Sequence, residues 1–201
     1  MKLLKNRAFL IPAAIVVILV VGVVTAFSDL KSDIRKTEQL YYDGVKSDSG
    51  SYVRPSVYSQ MNFKYTTANS ILGVVDAYPE LSEAAAALRQ AKDRVFDCTG
   101  AYDEDTIRSM GGANEELLQA VEKLKTALED VSLSERDQQA LDRYLKDMDN
   151  AQSVIEASGY NEAVTAFNMG KMQKFPAKQM LKLLKNRIGG ATYFGNFRYE
   201  Y

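Results

Sequence analysis

Acidic side chains are the groups in this chain best placed to do chemistry unaided, and they gather most densely at Asp97 and Asp103-Glu104-Asp105. Such a cluster attracts a divalent cation, but the ordered spacing and central glycine of an EF-hand loop are absent, so a solvated loop is expected. Carboxylates alone can also act as acid and base. The other common catalytic groups are missing. The 201 residues hold no histidine, which excludes Ser-His and Cys-His pairs, His-bound zinc and the Glu-x-x-His ligands of di-iron bundles. The single cysteine, Cys98, cannot form an intramolecular disulfide and is expected to pack as a small apolar group. No glycine-rich phosphate loop of the Walker or Rossmann type occurs. The expectation is a protein with no enzymatic activity, no metal and no cofactor.

The first element that must position anything is apolar. Ala8 to Phe27 is 20 residues without a charge, and at about 1.5 Å per residue it reaches about 30 Å, the thickness of a bilayer's hydrocarbon core. Pro12 falls in its first turn, where a missing N–H costs no intrahelical bond. A cleaved signal peptide would share the basic flank Lys2, Lys5 and Arg7 and the small residues Val24-Thr25-Ala26. Its apolar region would be only about 7 to 15 residues, so an uncleaved single-pass anchor is expected. Lys31, Arg35 and Lys36 follow closely, so the basic excess before the run is small; it favours a cytoplasmic N-terminus and an extracytoplasmic domain.

Beyond the anchor the pattern is helical. Leu117, Val121, Leu124, Leu128 and Val131 step by 4, 3, 4, 3 and share one face, with Asn114 expected to cap the start of that helix. Ser134 to Asp137 has the form of a capping box with Asp in the acidic position. The stripe Leu141, Leu145, Met148, Ala151, Ile155 follows, and after a kink at Ser158-Gly159 it resumes as Tyr160, Val164, Phe167. Upstream, Ile71, Val74, Tyr78, Leu81, Ala85, Leu88 and Val95 keep heptad spacing, with Lys92 its polar member. Pro79 predicts a kink or a fresh helix start. Leu30, Ile34, Leu40, Tyr41 and Val45 predict a shorter helix continuing from the anchor. Gly100 to Gly112 is expected as the longest loop. No stretch alternates with period two, so no sheet is expected.

Charge divides this part of the chain. Residues 28–168 carry 15 basic and 25 acidic side chains, a net of −10, and residues 169–201 carry 7 and 1, a net of +6. A basic tail either packs along the acidic body or offers a docking surface. Lys178 to Arg187 forms a basic amphipathic pattern, with Met180, Leu181, Leu184 and Ile188 opposite Lys178, Lys182 and Lys185. It either lies on an anionic membrane surface through Lys178, Lys182, Lys185 and Arg187, with Tyr193, Phe194, Phe197, Tyr199 and Tyr201 at the interface, or covers an edge of the body. Nucleic acid is excluded as a partner by the acidic balance and the lack of a binding motif.

The stretch Tyr160-Asn161-Glu162-Ala163-Val164-Thr165-Ala166-Phe167-Asn168, followed by Phe175-Pro176, resembles the signature of the LemA family, with Phe167 where that family usually has Tyr. Asn69 to Val95 resembles the family's second helix and Ala113 to Leu118 the opening of its third. The family's Arg-rich lead-in is replaced by Tyr65-Thr66-Thr67-Ala68-Asn69, and Pro79 is foreign to the pattern, so the resemblance is to a divergent member. It implies a membrane-anchored helical bundle with no established enzymatic activity. Tyr160, Val164 and Phe167 share a face and suit core contacts. Asn161 and Asn168, seven apart, suit bonds to backbone at a helix end or bend. Phe175-Pro176 reads as a helix stop. The same face, Tyr160 to Pro176, is also a candidate interaction surface.

Together these readings predict an all-α protein, with an N-terminal transmembrane helix followed by an elongated antiparallel four-helix bundle. The predicted divisions are 1–27 (anchor), 28–176 (bundle) and 177–201 (basic aromatic tail). The expected partners are the lipid bilayer and a protein, and self-association is compatible with the pattern. The expected role is a scaffold or interaction module of the cell envelope. The alternative is a membrane-tethered sensory or small-ligand-binding bundle, which a cavity lined by Tyr or Asn would favour and a solid core would oppose.

Overall fold

The computed structural model describes residues 7–46, 53–100, 104–174, 178 and 190–195. Among them the chain is helical with no strand, apart from an isolated antiparallel bridge between Lys46 and Val53. The helices are α1 (Arg7–Asp43), α2 (Val57–Val75), α3 (Ser82–Asp97), α4 (Glu104–Leu128), α5 (Glu135–Glu156) and α6 (Tyr160–Gly170).

The N-terminal apolar run and the next predicted helix are one continuous helix, because neither proline nor a chain of breakers separates them. At 37 residues α1 is about 55 Å long. Its two halves meet different surroundings. Ile15, Val16, Val17, Ile18, Val20, Val21, Val23 and Val24 are exposed, whereas Leu30, Ile34 and Tyr41 are buried in the body. The helix is long and apolar enough to cross a membrane.

Pro79 makes a fresh start. α2 ends at Val75, and Pro79–Leu81 forms a 3-10 turn that runs directly into α3. Ser134 caps α5 by accepting from the Asp137 N–H at 3.2 Å. The capping box has an added member: the Ser134 N–H donates to the Tyr78 hydroxyl (3.2 Å), and that hydroxyl donates to the Asp137 carboxylate (2.6 Å). The aspartate side chain is one methylene shorter than the usual glutamate, and the phenol bridges the gap. Together with the Ser134 hydroxyl, the phenol holds the Asp137 carboxyl below its ordinary pKa.

α2 packs against α3 and α5, α3 against α4, and α1 against α6 and α2. Side chains join α4 to α5 through Lys125–Asp149 at 3.1 Å and Asn114–Gln152 at 3.2 Å. The stripes read from sequence supply the core: Ile71, Leu81, Leu88, Val95, Leu117, Leu124, Leu141, Met148 and Val164 are all at or near zero exposure. Each such side chain contributes about 1.5–3 kcal/mol on burial.

Three expectations are corrected. The loop predicted at Gly100 to Gly112 is mostly helix, since α4 begins at Glu104; Asp103 lies outside the described residues. Gly111 and Gly112 both lie inside α4, and only the first is needed as glycine: a Cβ on Gly111 would overlap the backbone of Gly195, whereas one on Gly112 would meet open space. Asn114 consequently sits inside α4, buried, rather than at its start. Ser158-Gly159 ends one helix and opens another instead of kinking it, because Gly159 takes φ +79° and the Arg54 guanidinium donates to the Ala157 carbonyl at 3.3 Å.

Candidate functional site

α6 presents one polar face and one apolar face at the junction of α1, α4 and residues 190–195. Val164 and Phe167 turn into the core, and Tyr160 packs edge-on against Tyr41 of α1 with ring centroids 5.8 Å apart. Between these buried rings the two asparagines of the motif hold residues 190–195. Asn161 donates to the Phe194 carbonyl at 3.1 Å and accepts from the Phe194 N–H at 3.0 Å. Asn168 donates to the Ala191 carbonyl at 3.0 Å and accepts from the Ala191 N–H at 2.9 Å. Between them the Tyr160 hydroxyl donates to the Thr192 carbonyl at 2.6 Å, and the Thr192 N–H donates to Glu38 of α1 at 3.0 Å. Burial, with the Glu38 charge next, pushes the Tyr160 phenol well above its ordinary pKa, so it remains a donor.

Tyr41 stands at the centre of this junction, touching the rings of Tyr42, Tyr58, Tyr160 and Phe194. It is fully buried, and among the described residues its hydroxyl has no hydrogen-bond partner.

A second polar group lies nearby. Lys64 of α2 is 0% exposed, and its ammonium donates to Asn114 Oδ1 at 2.6 Å and to Gln152 Oε1 at 2.8 Å. Asn114 in turn donates to Gln152 Oε1 at 3.2 Å, and Gln152 donates to the Glu156 carboxylate at 2.9 Å. The bonds all run one way, from a buried cation through two amides to a surface anion. Burial lowers the Lys64 pKa to about 8, against the opposing attraction of Glu156 and Asp149.

Members of each group, Tyr160 and Asn161 from the first and Asn114, Gln152 and Glu156 from the second, line a cleft of about 480 Å³ with Leu118, Ile155 and Phe194 as apolar surface. It has the size of a small-molecule site. Its carboxylates Glu115, Glu156 and Glu162 give it a negative rim. Burial raises the Cys98 pKa, leaving a thiol rather than a reactive thiolate. Among the described residues no group of acids, cysteine or histidine has metal-site geometry.

The structure thus brings Tyr160, Asn161, Val164, Phe167 and Asn168 to one helix and joins the two asparagines to a segment 23 to 33 residues downstream, not to a nearby helix end. Phe194, read as an interfacial aromatic, is buried against Tyr41 instead. Lys178 is an exposed helical residue. Phe175, Pro176, Lys182, Lys185 and Arg187 lie outside the described residues, as do Met180, Leu181, Leu184, Ile188, Phe197, Tyr199 and Tyr201. The sequence reading missed Lys64, Gln152 and Glu38. Lys64 had a signal, because it stands in the 4, 3, 4, 3 stripe Val57, Met61, Lys64, Ala68, Ile71 where each neighbour is apolar. Comparison of the chain with family models, with curated proteins and with solved structures gives no match.

Proposed function

We propose that this chain is a non-enzymatic, membrane-anchored scaffold or interaction module of the cell envelope, built as an antiparallel four-helix bundle and related to the LemA family. The observation that carries this is the continuity of α1, whose bare apolar half runs without a break into a half that is packed in the body. Eight large apolar side chains in a row of turns need a covering that water does not supply, and a bilayer supplies it. The family reading rests on Tyr160 to Pro176. The extracytoplasmic side follows from the basic flank before the span.

Topology tests it. With Cys98 replaced by Ser and Asp105 by Cys, a membrane-impermeant maleimide added to intact cells is expected to label the protein. Labelling only after lysis reverses the orientation, and recovery of the chain in the soluble fraction overturns the anchor.

The cleft favours a second reading, a membrane-tethered small-ligand-binding bundle. Its lining by Tyr160, Asn161 and Asn114 is what that reading requires. A Leu118→Trp substitution fills the cleft and is expected to abolish any ligand carried through purification, as read by native mass spectrometry. A ligand retained by the variant counts against this site.

A further inference from the structure

The bonds that hold residues 191–194 reach main-chain atoms. Asn168 pairs with both polar groups of Ala191, Asn161 with both of Phe194, and Tyr160 and Glu38 take the two of Thr192. Seven helical residues separate the asparagines by about 10.5 Å, and the chain bends at Ala191 and at Phe194, the two residues that they hold. A carboxamide that meets one residue's N–H and C=O together satisfies both main-chain groups of that residue without reading its side chain. Side-chain demands are coarse. A Cβ on Gly190 would overlap the Asn168 carboxamide, Phe194 fills the aromatic cluster, and Gly195 takes φ +80° where the segment meets Gly111.

From this geometry we propose that the junction of α1, α4 and α6 is a binding site for a peptide of the pattern Gly-small-small-any-aromatic-Gly. Residues 190–195 are its resident ligand, held in cis and exchangeable. All the groups that grip the segment belong to helices of the body. Because Phe194 and Gly195 also form one wall of the cleft, release of the segment opens the cleft on that side.

The test uses the full chain in detergent with a specific protease sequence inserted between Gly189 and Gly190. After cleavage and removal of the released tail, a fluorescent peptide spanning Gly190 to Tyr201 is expected to bind saturably. An unlabelled copy should compete, and a copy N-methylated at Ala191 and Phe194 should compete at least tenfold less well. Equal competition, no uptake by a cut chain that still melts cooperatively, or loss of the melting transition on tail removal each overturns the proposal. A measurement on the uncut chain is independent of the cut. The amides of Ala191, Thr192 and Phe194 should exchange hydrogen at least tenfold faster than core amides of α4, through a local opening. Exchange at the core rate would make the segment part of the global fold and overturn the proposal as well.

Discussion

The asparagine clamp on α6 and the lysine network between α2, α4 and α5 line the same cleft, yet they handle burial in different ways. In the clamp, neutral amides meet neutral amides, and each bond satisfies a donor and an acceptor that would otherwise be orphaned. In the network, a full positive charge is removed from water and receives two carbonyl oxygens, with its countercharge two bonds away at Glu156. The first arrangement fixes where a segment of chain goes, and its four amide bonds involve no titratable group. The second holds a helix triplet together at an electrostatic cost that pH can remove.

That contrast can be tested on both sides, and the largest effect belongs to Lys64. Its pKa falls from 10.5 to about 8 on folding. Between those values the unfolded chain keeps a proton that the folded chain has released, so stability rises with pH across the window, and below about 8 the full cost is present. The expected gain is about 3 kcal/mol at 1.36 kcal/mol per unit, measured as urea unfolding of the wild type relative to Lys64→Met. A pH-independent difference between the two would show that the lysine is not desolvated. Next in size is Asn168→Ala, which leaves the Ala191 N–H and C=O without their partner and should cost about 2 kcal/mol at all pH values. A cost that changed with pH would break the distinction drawn here.

The smallest effect sharpens it. Tyr41 and Tyr160 are buried side by side, but among the described residues only Tyr160 has a hydrogen-bond partner for its hydroxyl. Tyr41→Phe is therefore expected to stabilise the protein by about 1 kcal/mol and raise Tm, whereas Tyr160→Phe lowers it. A fall in Tm for both would mean that the Tyr41 hydroxyl finds a partner in solution.

Much of the helical architecture was legible from periodicity alone. The stripes through Ile71 to Val95, Leu117 to Leu124 and Leu141 to Ile155 mark faces that are buried in the structure, because apolar spacing and helical pitch are local properties of the chain. The breakers were legible in kind but not in outcome. Pro79 starts an element, as its missing N–H requires. Gly111 and Gly112, which read as a loop, lie inside α4, and Gly111 leaves the space that the backbone of Gly195 occupies.

By itself, then, the sequence determined the helical class, the apolar stretch of α1 and the grouping of Tyr160, Asn161 and Asn168 on one helix. Each follows from residues a few positions apart. Only the tertiary structure decided what those residues touch. It brought Phe194 to Asn161, Ala191 to Asn168 and Glu38 to Thr192, and it placed Asn114 and Gln152 around Lys64. These contacts join residues 23 to 154 positions apart. Spacing along the chain says nothing about such pairs, because a buried amide or ammonium takes whichever partner the packed helices bring to it.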